Sequence, residues 1–221
     1  MIRTILLPTA IFCAMSFINS HDSSKRWVPA ANNFENNMID TVIRDIPLNK
    51  YGEPSFFYKN KPEIEDQLGL VSLEDGYDSL QIRLWFSYAF IDSSQLVTVR
   101  NNKNKWSIEL VTFLTNYTND KVVIENKRVI PKYPKSGWQD FTNKLFQLQI
   151  LTLPDESKIP KYSMFTDADR IVVEIATTKE YRIYQYQGPM IAHDDIWQIK
   201  NMGAILKLIE NEFSFKRLRR F

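Results

Sequence analysis

Leu80-Gln81-Ile82-Arg83-Leu84-Trp85-Phe86-Ser87-Tyr88-Ala89-Phe90 is the stretch whose period settles the class of fold. Leu80, Ile82, Leu84, Phe86, Tyr88 and Phe90 alternate with Gln81, Arg83, Trp85, Ser87 and Ala89. Successive side chains of an extended chain point to opposite faces, so this alternation predicts a strand with one apolar side. Three more strand-like runs follow closely, at Gln95 to Arg100, Lys105 to Thr115 and Lys121 to Ile130, the last broken near Asn126-Lys127. Asn101-Asn102-Lys103-Asn104 reads as a polar turn between two of them. Neighbours joined so briefly must pair antiparallel, because parallel pairing needs a long crossover. Two further strands, Arg170 to Ala176 and Tyr181 to Gln187, flank Thr177-Thr178-Lys179-Glu180 as a hairpin.

Helical spacing appears around these strands. Phe34, Met38, Val42 and Ile46 recur every four residues and predict an amphipathic helix that Pro47 ends. From 47 to 78 the prolines and glycines predict mostly loop, with one short helix opening at Pro62. Ser136 and Gln139 fit a capping box for a helix presenting Trp138, Phe141, Leu145 and Leu148. A last helix falls within Asp194 to Phe213, with Ile199, Met202, Leu206, Ile209 and Phe213 on its apolar side. The expectation is one α+β domain over 34–221, an antiparallel meander sheet of about six strands with helices packed on one face.

Residues 1–20 have the anatomy of a signal peptide: Arg3, an apolar run from Ile5 to Ile18, and Asn19-Ser20 at the exit. The run is short and interrupted by Pro8 and Ser16, which argues against a membrane span. Residues 21–33 read as a flexible lead-in, and cleavage is expected after Ser20. Cys13 is the only cysteine, and bulky Phe12 before it argues against a lipoprotein. The mature chain would then be free of disulfides, which suits a bacterial periplasm or cell surface. The net charge of +2 argues against a nucleic-acid partner. The basic tail Lys216-Arg217-Leu218-Arg219-Arg220 reads as a solvated terminus.

No catalytic residue, cofactor or metal is expected. The only histidines are His21 and His193, too few for a zinc cluster, and His193-Asp194-Asp195 reads as a helix start. No serine stands in a Gly-x-Ser-x-Gly elbow, and the six glycines form no phosphate loop. The carboxylates Glu63, Glu65 and Asp66, and Asp167 with Asp169, fall in loop-like segments.

One constellation suggests binding. Arg83 and Trp85 share a strand face, as do Arg182, Tyr184 and Tyr186, and Trp106 opens a third strand. On neighbouring strands these would form an Arg- and aromatic-rich face, and binding would use that face or the loops around Asp194. Flat rings and a guanidinium suit an envelope glycan, peptide or protein. The competing reading makes the rings core. Trp85 and Trp106 are then buried, Tyr184 and Tyr186 partly open, and Arg83 paired with Glu109 or Glu174.

The runs Leu80-Gln81-Ile82-Arg83-Leu84-Trp85, Asn104-Lys105-Trp106-Ser107-Ile108-Glu109-Leu110 and Tyr181-Arg182-Ile183-Tyr184, with Glu212-Phe213 at the end, resemble a group of exported bacterial proteins of unknown function. Asn-Lys stands here where that group carries Asn-Gly. The resemblance spans roughly residues 78–215 and implies a single domain and an envelope location, with no activity attached. The functional expectation is an exported, non-enzymatic binding or interaction module. The alternatives are an envelope hydrolase working on carbohydrate or peptide through carboxylates, and a periplasmic inhibitor or immunity-type protein.

Overall fold

The computed structural model describes residues 41–89, 92–118, 121–160, 162, 167–191 and 196–216, all within the compact unit Ile39–Phe221. The expected signal peptide, the lead-in and Asp194 lie outside the described residues. In chain order the elements are β1 (Ile43–Asp45), α1 (Phe56–Leu68), β2 (Leu80–Ser87), β3 (Ser93–Asn102), β4 (Lys105–Thr118) and β5 (Lys121–Lys132). They are followed by α2 (Trp138–Gln147), β6 (Arg170–Thr177), β7 (Glu180–Gln187) and α3 (Trp197–Phe213).

The strands form one seven-stranded sheet in the order β1-β7-β6-β2-β3-β4-β5. β2 through β5 are the expected antiparallel meander, and the β6–β7 hairpin adds onto β2. The β3–β4 turn places Lys103 and Asn104 at φ of 50° and 66°, the left-handed pair that suits the twist of a tight hairpin. The expected break in β5 is a bulge: pairing shifts between Thr112 and Leu114, and Asn126 sits at φ 52°.

The expectation of six antiparallel strands is corrected by β1, a seventh strand that pairs parallel with β7 through Ile43↔Glu180 and Asp45↔Arg182. It also corrects the end of the expected helix at 34–46. A spacing of four is one helical turn but equally two strand periods, so Val42 and Ile46 share a face either way. The pairing with β7 decides for strand.

α1 contains the short helix expected at Pro62 and corrects its start, extending back into the expected loop. It begins six residues before Pro62, where the Ser55 Oγ accepts the Tyr58 N–H at 3.3 Å. Pro62 removes one helical hydrogen bond. Burial of Ile64 and Leu68 against the sheet holds the helix through it. Gly69 closes α1 in the left-handed conformation, and the Lys127 ammonium reaches the Leu68 carbonyl from the β5 bulge. α2 starts at Gly137 without a side-chain cap, so the expected Ser136–Gln139 capping box does not form. The Ser136 N–H goes instead to Glu212 of α3, at 2.8 Å.

Helices cover both faces, not one. On one side α2 and α3 press Phe141, Leu145, Met202, Ile205, Leu206 and Ile209 onto Ile82, Leu84, Phe86, Val97 and Val173. On the other, α1 packs Ile64 and Leu68 with Trp85, Leu96, Val111, Val172 and Tyr181. β2 is consequently buried on both sides from Gln81 to Phe86.

Candidate functional site: a buried ion cluster and an open groove

Register decides the fate of the expected Arg and aromatic face. Arg83 lies opposite Glu174, and Glu174 opposite Ile183, so the odd-numbered residues of β7 share the Arg83 side. Arg182 instead lies opposite Ile175, and Ile175 opposite Ile82. Arg182, Tyr184 and Tyr186 therefore stand on the opposite side of the sheet from Arg83 and Trp85. Trp106 is half-buried on the α2–α3 side, 6.1 Å from the Phe146 ring. The single face is a correction in full: alternation was legible on each strand, but the register between strands was not.

Both halves spend their polar groups internally. Arg182 donates to the carbonyls of Leu151 and Leu153 at 2.7 and 2.5 Å, and to Asp45 at 3.0 Å. The Tyr184 hydroxyl donates to the Ile150 carbonyl at 2.6 Å, and the Tyr186 hydroxyl to Pro154 at 2.8 Å. These three side chains fasten segment 150–154 beneath β7. Their partial exposure was expected for the two tyrosines, yet both are closed to solvent at 1% or less.

On the α1 side, Arg83 and Trp85 belong to a buried ion cluster. Arg83 Nη1 donates to Glu65 Oε1 at 2.5 Å, and Trp85 Nε1 to Glu174 Oε2 at 2.6 Å. Lys61 Nζ, with its side chain fully enclosed, lies 3.1 Å from Glu174, 3.1 Å from Glu74 and 3.5 Å from Glu65. The Tyr181 hydroxyl donates to Glu174 at 2.9 Å, and Tyr58 to Glu74 at 2.8 Å. Of the two expected carboxylates, Glu174 lies 3.8 Å from Arg83, while Glu109 pairs with Arg100 instead. Burial and the neighbouring Glu174 charge push Glu65 above its usual range, against the pull of Lys61 and Arg83. Burial opposes charge on Lys61, but Glu174 and Glu65 outweigh it and hold the ammonium protonated. The cluster rivets α1 to β2 and β6, with Lys61, Glu65, Arg83 and Glu174 buried at its centre.

The open site lies beside it. β1 pairs with β7 only as far as Arg182, so β7 from Ile183 onward has no strand neighbour on that edge. A groove of about 870 Å³ runs there. The sheet supplies Val172, Ile183 and Gln185, segment 46–51 supplies Ile46, Pro47, Leu48 and Tyr51, and α1 supplies Tyr58. Asp155, Glu156, Lys158 and Ile159 form the remaining wall. Leu48 and Tyr51 are 55% and 76% exposed, an apolar rim at the mouth.

The groove's carboxylates serve the strand edge. Asp155 Oδ2 accepts the Gln185 N–H at 2.9 Å, and Glu156 Oε2 accepts the Gln187 N–H at 2.6 Å. Glu156 Oε1 also takes the Gln185 amide at 2.9 Å, and the Tyr162 hydroxyl donates to the Gln187 carbonyl at 2.5 Å. Side chains thus do what an eighth strand would do. Burial pushes Glu156 above its usual range despite these donors. Lys158 faces Asp45 at 3.4 Å, and burial, with the hydrogen bond to Glu74, pushes Tyr58 up to about 12.

None of the groove residues was singled out from the sequence as a binding residue, apart from Tyr184 at its border. Asp155-Glu156 after Pro154 was the available signal, since an acidic pair next to a proline commonly caps backbone N–H groups. Among the described residues, no cluster of three or more His, Cys, Asp or Glu could hold a metal ion. No helix among them is long and apolar enough to cross a membrane. Comparison of the chain with family models and with curated proteins finds no match.

Proposed function

We propose that this chain is an exported, non-enzymatic binding module that holds its ligand in the groove beside β7. Export rests on the leader-like residues 1–20. The observation that carries the binding reading is a groove within the usual size range of ligand sites whose accessible lining is mostly apolar. Its polar groups are largely occupied by the chain itself, which disfavours a glycan: sugar hydroxyls need free donors and acceptors.

The hydrolase alternative draws on Glu156, a carboxyl with raised proton affinity in a cleft. Its geometry weighs against that role. Glu156 is 2% exposed and both its oxygens already accept hydrogen bonds from β7, so it is buried at the strand edge and not presented to a substrate.

The test uses the neutral fluorescent probe N-phenyl-1-naphthylamine. Wild type should bind it saturably. Leu48→Asp at the mouth and Ile183→Trp inside should each weaken binding by roughly tenfold or more, about one buried ring's worth. Binding unchanged in both folded variants would refute the groove as the site.

A further inference from the structure

We infer that the groove selects an apolar ligand with one acidic end, which seats on the Lys50 ammonium. This deepens the binding reading above and rests on it. Most polar groups of the groove are already engaged within the chain. The oxygens of Asp155 and Glu156 accept the edge N–H groups of β7. The Ser157 hydroxyl donates to Asp155 at 2.6 Å. Tyr58 donates to Glu74, and the Asn49 side-chain oxygen accepts from Tyr51 and Glu53. Lys158 shares Asp45 with Arg182.

The Gln185 Oε1 is buried without a partner, but as an acceptor it does not suit an anion. Among the groove's cations, Lys50 is the exception. It is exposed, makes no ion pair with a carboxylate among the described residues, and rests its Nζ 5.0 Å from the centre of the Tyr51 ring. A cation held over an aromatic face at the rim of an apolar trough is positioned to meet an anion at the end of a hydrophobic body. The carboxyl groups of Asp155 and Glu156 also stand in the wall, but they are buried and their oxygens are turned to β7 donors and not to the mouth. Leu48 and Tyr51 would flank the entering chain, with Ile183 and Val172 beyond them.

Two probes that share one ring system isolate the acidic end: N-phenyl-1-naphthylamine and its 8-sulfonate, 8-anilinonaphthalene-1-sulfonate. In Lys50→Ala, the sulfonate should bind roughly three- to tenfold more weakly, the range of a partly shielded ion pair, while the neutral probe is unchanged. Lys50→Arg should restore the sulfonate, and Lys59→Ala, which alters a pair with Glu53 outside the groove, should change neither probe. Decanoate should displace the neutral probe from wild type and do so less well from Lys50→Ala. Equal effects of Lys50→Ala on both probes, or no effect on the sulfonate, would overturn the acidic-end inference and leave the groove standing. Failure of the neutral probe to bind, or its indifference to Leu48→Asp and Ile183→Trp, would remove the groove reading itself.

Discussion

Glu174 shows at the residue scale how one side chain is over-determined. It is fully buried, accepts from Trp85 and Tyr181, and faces Lys61 at 3.1 Å. Removing a single partner leaves a buried charge uncompensated, which costs far more than the pair contributes while intact. Lys61→Met is expected to destabilise by about 3–5 kcal/mol in denaturant melts. Adding Glu174→Gln should recover part of that loss, a coupling that a double-mutant cycle measures. Trp85→Ala should also cost about 3–5 kcal/mol, combining a cavity with the lost indole donor. Glu156 gives a signed prediction with pH. Its carboxyl titrates above the ordinary value of 4.5, so the folded state holds that proton more tightly than the unfolded chain. Its contribution to stability is therefore complete below the unfolded pKa and is lost as pH rises through the folded one. Glu156→Gln should remove this fall. The difference in melting midpoint between variant and wild type should shift in the variant's favour from about pH 4 to about pH 7; a pH-independent difference would contradict the shift.

The elements show which parts of the fold were legible. Strands β2 to β5 and the β6–β7 hairpin could be read because a period of two persisted over each and polar turns separated them. β1 was not, because three residues carry no period and a four-residue spacing serves helix and strand alike. α1 was masked by Pro62 and by the charges it buries: Lys61 and Glu65 look like a solvated face until the sheet supplies their partners. Gly76 was read as one of several loop breakers. In fact a Cβ there would lie 2.9 Å from the Thr177 carbonyl, where the chain presses on the β6–β7 turn. The candidate site was the least legible, since its residues come together across an edge that only the register creates. That edge makes its own prediction. Asp155→Ala should cost about 1–3 kcal/mol, because the Gln185 N–H and the turn at Ser157 both lose an acceptor. With Glu156→Ala added, β7 gains open N–H groups, and the double variant should sediment as larger species at high concentration than wild type does. Unchanged sedimentation would show that the two carboxylates are not what blocks the edge.

Across the whole molecule, the division of labour follows from covering both faces of one sheet. The α2–α3 side is an apolar core crossed by tyrosine hydroxyls that hold segment 150–154. The α1 side is a mixed core whose charges fix one helix in place. The short β1 leaves half of β7 without a strand, and that vacancy is where the groove lies. The proposed binding groove thus lies at the β7 edge on the Arg83 and Trp85 side of the sheet, beside their buried cluster and not at it. Amide chemical-shift mapping during titration with N-phenyl-1-naphthylamine tests this placement most directly. Shifts should concentrate at Leu48 to Tyr51, Tyr58, Ser157 to Ile159 and Ile183 to Gln185. Shifts centred instead on Met190, Ile191 and Trp197, the exposed apolar residues flanking the start of α3, would contradict it.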